Sequence, residues 1–561
     1  MVQSKNNDQY FNEKIRPYLL RLVGTPKEMG RAHGVAVREA NALGCIFFYG
    51  RLLDHIFCFQ LRNSLEKKIY SGIRWFVEQT LEKRLIQQIP TRYREAIQGF
   101  SEGSGVPLEV VLKAYVMPDA YTFLLSLKHK YSFFPSLEQT PLGCSALVTT
   151  GYDSQRIPFL HGRNLDFPGG QKWSDFPAII EYQPHDGQKY VTVTTLGVDT
   201  AGVTATNEAG ITISLNMNYS RHVQSQAVPI VIIGHEIMRR AKSLKDAIEI
   251  LESFPRSGGW SYVISSYREK NAIAVEMDAS ELQLRGLQNN HLVCTNHYSF
   301  PTLLSHEYWI TEGRKIDSQT RHKQASQMVR NTNGRVDIPQ LAKILGDSYD
   351  PLLGKERSFG YTISQVHTVS SVIFDPQDRR VYVACGLPPV AKQDYLAFEL
   401  FPGPFQKDWI LKGSPKDDAM KARFHYARAF ESYFPAQDLE EVARHLEIAT
   451  SLMPEESLYW SILSIVLAKV RKIRDAKITM QKTLEIRETA YRENQNRLYF
   501  ARILDLCRER NSALEQYRFV AEQSPHSLFR KAALRGLRTP WSSAKLQRLV
   551  IDFTIGDFVE V

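Results

Sequence analysis

The chain reads as an α+β protein with two β-sheets between helical layers, a four-layer αββα arrangement, preceded by a helical segment and followed by an all-α region. Three patterns lead there. Residues 144–217, and again 261–295 and 368–384, alternate short β-branched and aromatic runs with clusters of Gly, Pro, Asn and Asp, the pattern of strands joined by turns. A helical stretch over 230–254 separates the strand groups, and strands in runs with helices segregated between them point to packed sheets with helices outside. Past about residue 415 the strand signals stop and helical periodicity takes over.

Taken in order, residues 1–143 are expected to be mostly helical, with helices over 29–57, 61–88 and 91–104. Their amphipathic faces would suit a segment that stays bound to the strand-rich core. Strands are expected at 145–150, 159–161, 178–182, 190–195 and 211–216. The 230–254 helix sets Ile233, Ile237, Ala241, Leu244, Ile248 and Leu251 on one face by three- and four-residue spacing. Further strands at 261–265, 271–277, 291–295, 368–374 and 380–384 complete a core over 144–410. Five antiparallel helices are expected in 415–561, at 438–454, 457–472, 474–486, 494–510 and 512–525. Ala443, Ala476 and Ala513 recur 33 and 37 residues apart, with Pro454 and Pro525 closing equivalent helices. That period fits tetratricopeptide-like repeats, and a plain helical bundle fits nearly as well.

Gly143-Cys144-Ser145 opens the first strand of the core and carries the chemistry. A cut between Gly143 and Cys144 would leave one residue with both a nucleophilic sulfur and a free α-amine of reference pKa about 8, so nucleophile and base would coincide. The thiolate is the reactive form, and a free thiol of pKa about 8.5 is mostly protonated at neutral pH, so a fixed cation nearby helps. Arg163 supplies one. Asp166, three residues on, is suited either to anchor the new amine or to orient the guanidinium by a charge-assisted hydrogen bond. The residues alone fit a plainer arrangement equally well: a turn salt bridge between Arg163 and Asp166 beside a core cysteine.

Gly143-Cys144-Ser145 with Gly162-Arg163-Asn164-Leu165-Asp166-Phe167 resembles the signature of the acyl-CoA:6-aminopenicillanate acyltransferase family. These are autoproteolytic N-terminal-nucleophile (Ntn) hydrolases, related to acid ceramidases, choloylglycine hydrolases and penicillin V acylases. Gly24 to Gly30 with His33-Gly34 is similar to the start of the family's pro-segment. Asn207 to Ile211 with Ser214-Leu215-Asn216 resembles its hairpin, Cys294 to Tyr298 its Thr-Asn-His strand end, and His367 to Val372 through Gly386-Leu387-Pro388 its closing strands. The matches run in family order from about residue 20 to about residue 390.

The resemblance implies an Ntn αββα core and autoproteolysis between Gly143 and Cys144, with Cys144 as nucleophile. Arg163 and Asp166 would be its activating and orienting pair. Asn296 would be an oxyanion donor, a role worth about 2.7 to 4 kcal/mol, although an Asn closing a turn is a common alternative. Asn216 is a further oxyanion or substrate-contacting residue, with Asn218 competing. A Ser-x-x-Arg helix of the family matches Ser318 to Arg321, with Arg314 as the competing arginine. Ser145 stands where several relatives have Thr, which keeps the hydroxyl. The implied reaction cleaves or transfers an acyl group at a non-peptide amide through a thioester on Cys144. Its substrate would be a small N-acyl amide or acyl-CoA, with no cofactor and no metal.

Composition bounds the rest. At 561 residues and 43% hydrophobic content the chain has room for several packed units. Met1 to Tyr10 is polar, and no run of about 18 uncharged apolar residues announces a membrane span. Six cysteines, at 45, 58, 144, 294, 385 and 507, are too scattered for a disulfide framework or a paired zinc motif, which favours a reducing, cytoplasmic setting. The net charge is +10. Arg530, Lys531, Arg535, Arg538, Lys545 and Arg548, interleaved with Phe529, Leu534, Trp541 and Leu549, would touch an anionic membrane surface or an acidic partner, or form a solvated face. No nucleic-acid module accompanies the charge. The alternative to an enzyme is an inert core whose C-terminal helices bind a partner protein; retention of Cys144, Arg163, Asp166 and Asn296 together argues against it.

Overall fold

A computed structural model describes residues 15–560 apart from 59–63, 131–142, 151–157, 168–169, 200–201, 333–334, 359, 402, 404 and 416. The polar start Met1 to Tyr10 lies outside the described residues. The strands, in chain order, are β1 (Tyr18–Gly24), β2 (Gly143–Thr149), β3 (Leu160–Asp166), β4 (Pro177–Pro184), β5 (Tyr190–Thr195), β6 (Thr204–Asn207), β7 (Ile211–Met217), β8 (Trp260–Ser266), β9 (Asn271–Met277), β10 (Leu282–Gly286), β11 (His291–Cys294), a short pair β12 (Tyr349–Asp350) and β13 (Lys355–Glu356), β14 (Thr368–Asp375), β15 (Arg380–Ala384), β16 (Tyr395–Glu399), β17 (Phe405–Leu411), β18 (Val550–Asp552) and β19 (Asp557–Val559).

An eight-stranded sheet runs β1-β4-β5-β6-β7-β8-β9-β10 and a seven-stranded one β11-β2-β3-β14-β15-β16-β17. Side chains alternate between the faces of a strand, and the second sheet shows both faces in use. Ala146, Val148, Val372, Phe374, Val381 and Val383 meet Ile179, Val191, Val193, Val263, Ala272 and Ala274 of the first sheet. Their neighbours Leu147, Ile373 and Tyr382 turn the other way, onto Val329, Leu341, Ile344 and Leu345 of the helices Glu312–Asn331 and Ile338–Leu345. On the far side, the helices Ile230–Arg240 and Leu244–Glu252 cover the first sheet, pinned where Tyr262 of β8 donates to Ile230 O at 2.8 Å. The mixed α+β character therefore stands.

The N-terminal segment is not purely helical: β1 adds to the first sheet parallel to β4. Its helices are also shorter than expected. The 29–57 stretch becomes Pro26–Glu39, Leu43–Gly50 and Leu52–Cys58, and Asn41, with φ +56°, turns the chain between the first two. Pro26–Glu39 starts at a reciprocal cap, Thr25 with Glu28. It lies backbone to backbone on Thr91–Ser104: a Cβ on Gly30, Gly34, Gly99 or Gly103 would strike a main-chain carbonyl of the facing helix. The 230–254 helix likewise divides, because Ala241 is extended and Ser243 with Asp246 caps a new helix. The helix Leu108–Lys130 is long and apolar enough to cross a membrane, although charged residues interrupt it, and it is mostly buried within the protein. Its Asp119 accepts from Ile230 N at 3.0 Å.

The C-terminal region is helical but not all-α, since β18 and β19 close the chain as an antiparallel hairpin. Ahead of it stand three helix pairs: Leu439–Leu452 with Ser457–Lys469, Ile473–Glu485 with Ala490–Leu506, and Arg510–Gln523 with Ser527–Arg538. Gln437, Arg471 and Arg508 take left-handed φ of 56°, 66° and 65°, each two residues before a pair begins, so the repeat is one of backbone geometry. Ala443, Ala476 and Ala513 are all buried. Buried arginines join this region to the core. Arg314 grips Asp552 with Nε at 2.8 Å and Nη2 at 2.6 Å, and Arg357, with Asp350 beside it, meets Glu488 at 2.7 Å and Glu456 across the junction; Arg492 pairs with Asp557 inside the region and sets its guanidinium 5.2 Å from the Tyr361 ring of the core.

Candidate active site

Strand register assembles the site. β2 and β3 pair with Gly143 opposite Asp166, Cys144 opposite Leu165 and Ala146 opposite Arg163. Cys144 and Arg163 are thus diagonal neighbours on one face, within reach for long side chains, and Arg163 Nη2 lies 3.1 Å from Cys144 Sγ. That face looks across the gap between the sheets. Arg163 spans it, donating to Leu215 O at 2.5 Å and to Val203 O and Thr204 Oγ1. His161, next on the face, bridges to Ser214 at 2.7 Å and Ser265 at 2.8 Å; burial, with Arg163 beside it, brings its pKa down to about 3.

Asp166 does not pair with Arg163. A separation of three residues, adequate on a helix, places two strand residues on opposite faces. Asp166 instead accepts from Thr368 Oγ1 at 2.6 Å, and its Oδ2 is buried without a partner. That oxygen faces the Gly143 backbone: a Cβ built there would stand 3.2 Å from it. Burial pushes the Asp166 carboxyl up to about 6, with Arg321 and Thr368 pulling against it.

The main chain of Cys144 is held from both sides. Its N–H donates to Asn296 Oδ1 at 2.9 Å, and its carbonyl accepts from Arg321 Nη1 at 2.7 Å. Arg321 also reaches Ser145 Oγ at 2.9 Å and Asn296 Oδ1 at 2.9 Å, and is fixed by Asp317. Two donors on Oδ1, with Nδ2 on Met217 O at 2.8 Å, settle the orientation of the Asn296 amide. In the uncut chain Asn296 is therefore an acceptor for Cys144. The competing Arg314 goes to Asp552 instead. Asn216 ties β7 to the end of β11 through Cys294 O at 3.1 Å and Thr295 O at 3.0 Å, which uses both its donors. Asn218 donates to Ser261 Oγ at 2.7 Å.

The thiol opens on a cleft walled by Tyr49, Tyr115, Phe167, Trp173, Met217 and Trp260 among others. Tyr49 and Tyr115 come from the segment before Cys144, and no motif marks them. Asp199, also on the wall, accepts from Tyr115 and Tyr182 hydroxyls at 2.6 Å each and faces His235 at 3.0 Å. Burial alone would raise this carboxyl, but His235 and the hydrogen bonds outweigh it and hold it well below the usual range. The Cys144 thiol moves the other way, raised by burial more than Arg163 lowers it.

Residues 156–389 match the family described as acyl-coenzyme A:6-aminopenicillanic acid acyl-transferase. Over that stretch the chain is similar to this family. The acyltransferase match takes in Arg163, Asp166, Asn216, Asn296 and Arg321 and begins downstream of Cys144. An uncharacterized protein of Archaeoglobus fulgidus is 20% identical over 369 residues, covering 60% of this chain. The chain spans 59% of that relative's length.

Proposed function

We propose that the protein is an autoproteolytic N-terminal-cysteine hydrolase or acyltransferase acting on a non-peptide N-acyl bond. One observation carries the reading: Arg163 lies 3.1 Å from Cys144 Sγ while Arg321 and Asn296 hold the main chain of the same residue. In self-cleavage Sγ attacks the Gly143 carbonyl carbon, the Gly143–Cys144 C–N bond breaks as the amide nitrogen takes a proton, and water hydrolyses the resulting thioester. The product ends are a Gly143 carboxylate and a free Cys144 amine. Asp166 Oδ2 and Asn296 Oδ1 are acceptors suited to the ammonium form of that amine.

In turnover the Cys144 amine takes the thiol proton, Arg163 stabilises the thiolate, and attack on the substrate carbonyl expels the amine of an N-acyl amide, or the thiol of an acyl-CoA, as the thioester on Cys144 forms. Water then completes hydrolysis, or an acceptor amine completes transfer. The aromatic and aliphatic cleft wall supports an apolar acyl group delivered as an N-acyl amide or acyl-CoA. The fold adds support: two sheets share an interface with helices outside each, as in an Ntn αββα core. We divide the chain into a pro-segment over 1–143, a catalytic core over 144–410 and C-terminal helices over 415–561. The recurring helix pairs and left-handed turns support tetratricopeptide-like packing for the last. Free thiols at Cys45, Cys144, Cys294, Cys385 and Cys507 suit a cytoplasmic location.

Intact mass and N-terminal sequencing of fresh protein test the reading. Two fragments are expected, the second beginning at Cys144, with Cys144→Ala remaining one chain without amidase activity. A wild-type chain that stays whole on long incubation, and that releases neither amine from N-acyl amides nor coenzyme A thiol from acyl-CoA donors, overturns it.

A further inference from the structure

Away from the thiol, three metal-binding side chains from distant parts of the sequence converge on one spot. His222 lies in the turn that leaves β7, Asp278 directly follows β9, and His306 ends the helix Pro301–His306. One ring nitrogen of each histidine and one carboxylate oxygen of Asp278 lie within 4.8 Å of one another. The two imidazoles stack with centroids 3.7 Å apart and planes 17° from parallel, so one ring must turn about its Cβ–Cγ bond before both in-plane lone pairs can reach a single ion at about 2.0 Å.

The carboxylate is built in. Asp278 is fully buried. Its Oδ1 accepts from Ser280 N at 2.8 Å, Ser280 Oγ at 3.0 Å and Glu281 N at 2.9 Å, and its Oδ2 from Ser220 Oγ at 2.9 Å. Such outer hydrogen bonds aim a ligating carboxylate. His222 Nδ1 is 2.7 Å from Ser280 Oγ, which fixes its ring. His306 Nδ1 stands 2.8 Å from Asp278 Oδ2. Neighbouring ligands of a tetrahedral zinc are roughly 3.3 Å apart, so ion entry opens this pair by about half an ångström. His222 is exposed and His306 half-buried, which leaves a path for the ion and room for water as a fourth ligand.

We infer that His222, Asp278 and His306 form a Zn²⁺ site that cross-links the turn after β7, the end of β9 and the end of the helix Pro301–His306. Two imidazoles and one carboxylate suit a borderline cation such as zinc over Mg²⁺ or Ca²⁺, which take oxygen ligands. The cross-link bears on the site because the turn begins at Met217, whose carbonyl holds Asn296, and Ser220 bridges to Glu307 just past His306. The inference departs from the sequence reading of no metal, since the three ligands share no short motif.

Metal-stripped Cys144→Ala protein, which lacks the site thiol and cannot cleave itself through it, is titrated with ZnCl₂ and followed by bound-metal analysis and thermal unfolding; the histidine variants below separate this site from zinc held by the remaining free thiols. One equivalent of Zn²⁺ is expected, with a rise in Tm of at least about 2 °C, no response to MgCl₂, and reversal by EDTA. His222→Ala, a change at an exposed position, and His306→Ala should each abolish the equivalent. Less than a tenth of an equivalent bound at micromolar Zn²⁺, or an undiminished equivalent in both variants, overturns the site. The readouts do not involve amide chemistry, so the outcome is independent of the proposed function.

Discussion

Two sets of buried arginines serve opposite ends. At the C-terminal junction Arg314, Arg357 and Arg492 are each met by carboxylates, so charge entering the interior is neutralised on arrival. At the site Arg163 is as deeply buried, at 1% exposure, yet among the described residues no carboxylate pairs with it. Its partners are carbonyls, a hydroxyl and the Cys144 sulfur. The first set joins elements distant in sequence. The second holds an uncompensated positive charge, costly in the resting protein, that formation of a thiolate relieves. Arg321, which holds the Cys144 carbonyl, is paired with Asp317, so at the site the uncompensated charge is that of Arg163 alone.

The sharpest way to break this contrast is to remove one arginine of each kind. Arg163→Met is expected to lower amide hydrolysis and self-cleavage by 10³-fold or more, as roughly expected for loss of charge stabilisation at a reacting centre, while leaving urea stability unchanged or raised. Arg314→Met is expected to cost about 3 to 5 kcal/mol of stability, because Asp552 is left as a lone buried charge. Replacing both partners, Arg314→Met with Asp552→Leu, should recover most of that loss. Equal destabilisation by Arg163→Met and Arg314→Met in urea titrations would abolish the distinction.

A smaller effect concerns Asp166. Its carboxyl is raised to about 6 in the folded chain, against about 3.9 unfolded, so the native state holds the proton more tightly. Its contribution to stability is fully present below about pH 4 and is lost as pH rises to about 6, by up to about 3 kcal/mol. Uncut Cys144→Ala protein should therefore lose stability over that window, and adding Asp166→Asn should flatten the slope. An unchanged slope in the double variant would assign the titration to another buried acid, Asp347 or Asp375, each also raised to about 6 by burial.

The site was legible in the sequence to the extent that local pattern carries it. Cys144, Arg163, Asn296 and Arg321 stand in short motifs, and all four converge. The pairing of Arg163 with Asp166 was misread because three residues span one helical turn but opposite faces of a strand, and only register reveals that Asp166 turns toward Gly143. Asn296 was expected as a donor and presents its carbonyl oxygen to Cys144, an orientation set by Arg321 and Met217, neither adjacent in sequence. Strand positions in the core were readable from alternation. Long helices were overextended because a Ser-Asp cap or one left-handed Asn interrupts the backbone without disturbing the apolar period. The cleft wall from Tyr49 and Tyr115, the terminal hairpin and the His222–Asp278–His306 cluster depend on contacts between distant segments, for which local periodicity holds no record.

The grip of Arg314 on Asp552 also sets a schedule for synthesis. The two residues are 238 positions apart, and Arg314 lies two helical turns before Arg321, the residue that holds the carbonyl of Cys144. A ribosome making this chain has exposed the nucleophile and both its arginines long before it adds the carboxylate that neutralises that helix. Only when β18 and β19 emerge is the buried charge at Arg314 matched by Asp552. Seating of the helix that holds the Cys144 carbonyl is thereby tied to a segment made 238 residues after Arg314, and a chain cut before Asp552 lacks the partner that completes it.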